Sequence, residues 1–161
     1  MLALRWQFQT GVKVEDSRTL VTTREINAPV TRVWDAWRDP EKIAKWWGPA
    51  GFHSTVRELD LREGGRFDVV MHGPDGTDYP NLYLFDRVDE GKLLIYTNVG
   101  SEQFGLAAFQ SVFVTESTGD RTRVTLTARF ASEQDKRKHV EEFQAVRGSE
   151  ELLQRLEEQS R

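Results

Sequence analysis

The side chains best suited to proton transfer or metal binding near neutral pH are three histidines, His53, His72 and His139. No HxH or HExxH spacing joins them, so no local motif presents two imidazoles to one ion. The stretch "RELDLREGG" brings Glu58, Asp60 and Glu63 close together. Two carboxylates can divide acid and base roles when a fold desolvates one of them. Here a strand running into a turn leaves all three solvated. The glycines of "REGGR" are not followed by the GxGxxG-and-helix pattern of a phosphate loop. The chain has no cysteine, which removes disulfides, thiol nucleophiles and cysteine metal sites. No catalytic residue, cofactor site or metal site is therefore expected.

A second constellation is apolar and aromatic: Phe67, Met71, Tyr83, Phe85, Tyr96, Phe109 and Phe113. These residues either pack a core or line a pocket, and spacing alone does not separate the two.

Composition bounds the partners. The 161 residues are near the usual size of one domain, with 38% hydrophobic and 30% charged residues. The formal net charge is -4 and the isoelectric point about 5.5. A nucleic-acid binder needs a basic face, which this balance does not supply. "DKRKH", residues 135–139, is followed at Glu141 by "EE" and reads as a solvated helix face. The opening "MLALRWQFQTGVKVE" is too broken by polar residues for a signal peptide, and no later run is long and apolar enough to span a membrane. A cytoplasmic location without membrane insertion is the expectation.

Periodicity places the elements. "RTLVTTREI", 18–26, is β-branched and reads as a strand. In "INAPVTRVWDAWRD", Val30, Val33, Trp34 and Trp37 fall on one face of a helix, with Pro29 at its first position and Pro40 ending it near Asp39. Asp39, Pro40 and Glu41 then start a second helix, 40–47, which Gly48 and Pro49 stop. Two turns do not hold themselves together in water. Trp46 and Trp47 give this helix large apolar area for docking. Neighbours differ by about 100° around a helix, so one indole is expected to anchor it and the other to lie at a pocket entrance.

From 52 to 131 the texture is strands: "FHSTVRELD", "RFDVVMHG", "YPNLYLFDRV", "KLLIYTNV", "AAFQSVFVTE" and "TRVTLTARF". "REGG", "GPDGTD", "DEGK" and "STGD" separate some of them as turns. Short connections imply an antiparallel meander. Residues from about 132 to 160 form a long helix whose apolar face runs through Val140, Phe143, Val146, Leu153 and Leu156. Gly148 marks a kink, a break into two helices, or a close approach to another surface. Residues 1–17 read as an extension or an edge strand, and 18–161 as a single domain.

This order, carried by "TREINAPVTRVWDAWRDPEKIAKWWGPAGF" and "LREGGRFDVVMHGPDG", resembles the helix-grip START-like (SRPBCC) superfamily. It is most similar to the bacterial branch related to the activator of heat-shock-protein-90 ATPase. The resemblance implies an α+β, birch-pollen-allergen-like fold, with a curved antiparallel sheet of about six or seven strands around the C-terminal helix. It implies a cavity between sheet and helix and no fixed catalytic set. The pocket lining it suggests is Trp47, Phe52, Phe67, Val69, Met71, His72, Tyr83, Phe85, Tyr96, Asn98, Phe109, Phe113, Phe143 and Ser149. Relatives carry a tryptophan after the helix glycine where this chain has Ser149, which leaves space there unless another indole fills it. The implied partner is a small hydrophobic ligand, aromatic or lipid-like. A protein-interaction module with a protein partner or homodimer is the alternative, and a cyclase-like enzyme the third.

Overall fold

A computed structural model describes residues 16–161. The expected N-terminal extension or edge strand, 1–17, falls almost wholly outside the described residues. β1 (Thr19–Ile26) is the β-branched run. Two short helices follow, α1 (Val30–Arg38) and α2 (Pro40–Trp46). Asp39 joins them: its backbone N–H donates to the Asp35 carbonyl, and its side chain accepts the Glu41 N–H at 2.9 Å. Pro40 fills the first position of α2, where its missing N–H costs nothing. Gly48 then turns the chain with φ of 111°, a conformation other residues rarely adopt. Pro29 is the extended N-cap of α1 rather than its first helical residue, a one-residue shift at an end without a capping side chain.

Six further strands follow: β2 (His53–Leu59), β3 (Arg66–His72), β4 (Asp78–Asp89), β5 (Leu93–Asn98), β6 (Phe109–Ser117) and β7 (Thr122–Phe130). All pair antiparallel, in the order β1-β7-β6-β5-β4-β3-β2. Bulges between Val56 and Glu58 and between Phe85 and Arg87 bend the sheet locally. The glycines of "REGGR" serve a hairpin. Gly64 donates to the Phe85 carbonyl and Phe85 to the Gly65 carbonyl, and a Cβ on Gly65 would meet the Asp60 carbonyl oxygen at 2.0 Å.

The C-terminal segment is two helices, α3 (Glu133–Phe143) and α4 (Ala145–Gln159). The break lies at Gln144, held left-handed at φ 50° and ψ 47°, and not at Gly148. Gly148 sits inside α4, where a Cβ would touch Pro49 at 3.9 Å. That is ordinary contact distance, so the spacing does not by itself require a glycine there. The break also shifts the helical phase. Val146, expected on the buried face, is 44% exposed, and α4 buries Ala145, Leu153 and Leu156 instead. Glu157 ties α4 to β1, accepting from Arg24 at 2.8 Å and from the Asn27 backbone N–H at 2.8 Å.

The core sits where α1 and α2 meet the face that α4 covers. Trp34, Trp37, Trp46 and Trp47 are all buried there. Trp37 is the hub, with ring centroids 5.2 Å from Trp46, 5.3 Å from Trp47, 5.6 Å from Tyr96 and 5.4 Å from Phe113. The Trp34 indole donates to Thr115 Oγ1 at 3.0 Å, and the Trp46 indole to the Ala36 carbonyl at 2.9 Å. The division of labour expected of Trp46 and Trp47 is therefore corrected. Neither stands at an entrance, because Trp47, the C-cap residue of α2, turns inward onto Phe67 and Tyr83. Alanine at either position should cost about 3–5 kcal/mol in chemical denaturation. A Trp47→Ala protein as stable as the parent would contradict this packing.

Candidate ligand cavity

Strand alternation builds one wall. On β4, Tyr79, Asn81, Tyr83 and Phe85 share a face. Register sets Tyr83 opposite Phe67 and Asn98, Tyr96 opposite Phe85 and Ser111, and Ala128 opposite Ser111. At one end of this face the indoles of α1 and α2 fill the space. Toward the other end some facing side chains are small. Ser111 and Ala128 on the sheet are matched by Ala145, Gly148 and Ser149 on α4. The volume not filled is a cavity of about 710 Å³, open to solvent. It is closed laterally by the 47–52 loop and by Phe104 and Leu106.

The loop is fastened to α4 by one residue. The Arg155 guanidinium donates to the carbonyls of Gly48 and Pro49 at 2.8 Å each, of Phe52 at 2.7 Å, and of Lys45. Burial pushes its pKa down, but four acceptors suit a group that stays charged. Glu151 adds a long contact, accepting the Ala50 N–H at 3.4 Å.

Of the residues expected to line a pocket, Trp47, Phe52, Met71, Tyr83, Tyr96, Asn98, Phe109, Phe143 and Ser149 come together around this cavity. Phe67, Val69, Phe85 and Phe113 do not. They are fully buried in the core, nearer the indoles on the same alternating face. His72 is also away from the cavity, on the opposite face of β3 from Met71. It bridges Asp78 Oδ1 and Thr55 Oγ1 at 2.7 Å each, and its ring lies 4.7 Å from that of His53. Glu58 and Asp60 face arginines, Arg66 at 3.5 Å and Arg62 at 2.8 Å. Among the described residues no group of three acids and histidines is placed to hold a metal ion.

Several lining residues escaped the sequence reading: Leu20, Tyr79, Asn81, Ser111, Leu126, Ala128 and His139. Period-two alternation from Tyr83 and Phe109 reaches Tyr79, Asn81 and Ser111. No local signal points to His139. It lies at ring distances of 4.8 Å from Phe109, 5.0 Å from Phe130 and 5.5 Å from Phe143, a contact set made by β6, β7 and α3 together.

The polar minority on the sheet side of the cavity carries no charged side chain. Burial pushes the Tyr83 hydroxyl above the ordinary phenol range, with the neighbouring polar groups of Asn98 and Trp47 opposing the shift. Burial also raises Tyr96, with the neighbouring Tyr83 adding to it and the nearby Ser111 hydroxyl opposing. Asn98 Nδ2 donates to Asn81 Oδ1 at 2.9 Å, and Asn98 Oδ1 accepts the Gly100 N–H at 2.8 Å. Desolvation among the phenylalanines pushes His139 down to about 4.

That depression has a thermodynamic sign. The unfolded chain binds a proton at an ordinary imidazole near pH 6.5, while the folded chain resists it until about pH 4. The contribution of His139 to stability is complete above pH 6.5 and is lost as pH falls toward 4. Thermal melts of His139→Phe should therefore match the parent near pH 7.5 and lose less stability between pH 6.5 and 4. Parallel pH profiles would contradict the burial.

Residues 27–160 match the family described as activator of Hsp90 ATPase homolog 1-like protein. A solution structure from Arthrobacter aurescens aligns with a TM-score of 0.83 at 25% identity, covering 91% of this chain and 89% of that one. A crystal structure from Nitrosomonas europaea aligns at 0.77 with 30% identity, covering 91% and 96%. The AHSA1 protein of Silicibacter pomeroyi shares the fold at 0.67 with 21% identity, covering 87% and 95%. No curated protein matches the chain. With the helix-grip architecture and the match over residues 27–160 in place, this chain belongs to the activator of Hsp90 ATPase homolog 1-like family.

Proposed function

We propose that this protein binds a small hydrophobic molecule in the cavity between the sheet and α4. One observation carries the reading: the cavity holds about 710 Å³ where the fold had the means to fill it. Sites for small molecules span roughly 300–1,000 Å³ and have mostly apolar walls with a few placed polar groups. Phe52, Met71, Phe109, Leu126 and Phe143 are the apolar wall, and the Tyr83–Asn98–Asn81 group is the polar minority.

Family membership is equally compatible with a co-chaperone-like interaction module. That reading predicts a filled cavity and an exposed apolar or charged patch. The large exposed hydrophobics among the described residues are Leu84, Val99 and Val146, which sit on three different segments. A cyclase-like reading would rest on His139 as the base, but an imidazole pushed down to about 4 is a weak one.

Ser149 provides the test. Its hydroxyl donates to the Ala145 carbonyl at 2.6 Å within α4, and it lines the cavity. Tryptophan at this position would occupy the void and add dispersion contacts. Ser149→Trp should raise the melting temperature and weaken binding of the neutral fluorophore N-phenyl-1-naphthylamine by about tenfold or more, the cost of losing roughly 1.4 kcal/mol of contact. Unchanged probe affinity in a folded variant would overturn the proposal.

A further inference from the structure

We propose that Thr55, His72 and Asp78 form a nucleophile, base and carboxylate on the outer face of the sheet, and that Thr55 takes the acyl group of small activated esters and passes it to water. The site lies away from the cavity, so it stands or falls apart from the ligand-binding reading. Strand register assembles it. On β2 and β3, His53 stands opposite His72 and Thr55 opposite Val70, and His72 in turn stands opposite Asp78 on β4. The hairpin before β4 closes with the Gly73 N–H donating to the Thr77 carbonyl at 2.8 Å, which delivers Asp78 to that place.

The hydrogen bonds run in one direction. His72 Nδ1 is 2.7 Å from Asp78 Oδ1, and Nε2 is 2.7 Å from Thr55 Oγ1. A carboxylate only accepts, so Nδ1 carries the proton of the neutral ring. Nε2 then holds a lone pair, and the Thr55 hydroxyl donates to it. In this arrangement an imidazole takes the proton of an attacking hydroxyl while a carboxylate fixes its tautomer. Among the described residues the Thr55 hydroxyl and the Asp78 carboxylate have His72 as their hydrogen-bond partner and no other, so the chain of three ties down no further element. Thr55 is exposed to an incoming substrate, while the His72 side chain keeps only 23% of its surface. The His53 ring, 4.7 Å away, packs beside it.

Arg57 completes the set. It is the extra residue of the bulge between Val56 and Glu58, and bulges re-aim side chains. Its Nε and Nη2 hold Asp68 at 3.2 and 3.1 Å, which leaves the protons of Nη1 on the face that carries Thr55. Two residues of strand separate them, a rise of about 6–7 Å. In the reaction, Thr55 Oγ1 attacks the ester carbonyl carbon as its proton passes to His72 Nε2. The tetrahedral oxyanion faces the Arg57 guanidinium. Its collapse breaks the bond to the alcohol oxygen, which leaves with the proton from His72, and an acyl-threonine remains. Water, deprotonated by His72, attacks that ester, releases the carboxylic acid and restores the Thr55 hydroxyl.

The test uses the full-length protein and 4-nitrophenyl acetate. Release of 4-nitrophenolate should exceed that in buffer. An acid-quenched sample should carry one acetyl group on Thr55, located by fragmentation of the tryptic peptide 46–57. Thr55→Ala should remove the label and lower the rate by about a hundredfold, the worth of base-assisted attack, and Thr55→Ser should restore both. His72→Gln should match Thr55→Ala. Asp78 is a positioning residue: Asp78→Asn should lower the rate without moving the melting temperature, and Asp78→Glu should recover most of it. A rate unchanged by Thr55→Ala, with the acetyl group on a histidine or lysine, overturns the proposal. So does an unlabelled Thr55 in the parent protein, a result that needs no variant to fold.

Discussion

The structure depends on how two helices too short to persist alone are held to one end of a sheet. α1 and α2 have 9 and 7 residues, and neither would be stable in isolation. Their solution is aromatic. Trp37 of α1 meets Trp46 and Trp47 edge-on from α2 and its C-cap, and reaches Tyr96 and Phe113 on the sheet. The Trp46 indole then closes on a carbonyl of α1. Each such ring buries on the order of 150–250 Å² of surface. The price is visible at Trp37, whose buried indole nitrogen finds no partner among the described residues.

Concentrating so much volume at one end has a consequence at the other. The sheet face continues past the indoles, but there Ser111 and Ala128 on the sheet are matched by Ala145, Gly148 and Ser149 on α4. Trp47 is the boundary: one side of it packs on Phe67 and Trp46, and the other lines the void. Arg155 holds the loop beyond Trp47 against α4 by its carbonyls, so the wall does not collapse into the space it borders. A dense aromatic cluster and an open cavity are two results of one distribution of side-chain size.

Much of this was legible in the sequence. The two-helix start around Asp39 and Pro40, the strand meander and Gly48 as a helix stop are local signals, and each is set by the backbone preferences of the residue concerned. The cavity was legible only in part. Alternation says which residues share a face, but not how far along that face a filled core gives way to open space. Phe67, Phe85 and Phe113 therefore could not be told from Tyr83 and Phe109 by spacing. A break was anticipated only at Gly148, because a left-handed glutamine such as Gln144 carries no propensity signal. His139 was missed for a related reason, since its three phenylalanine neighbours include two from distant strands.

The account stands on the open end of the sheet face being where a small hydrophobic molecule resides. Amide chemical-shift mapping of ¹⁵N-labelled protein with N-phenyl-1-naphthylamine addresses it directly. The predicted result is a saturable set of shifts confined to the cavity, at Leu20, Asn98, Ser111, Ala128 and Ser149, with His72 and the outer face of β2 and β3 unmoved. Shifts spread over the outer face, or none at saturating probe, would contradict it.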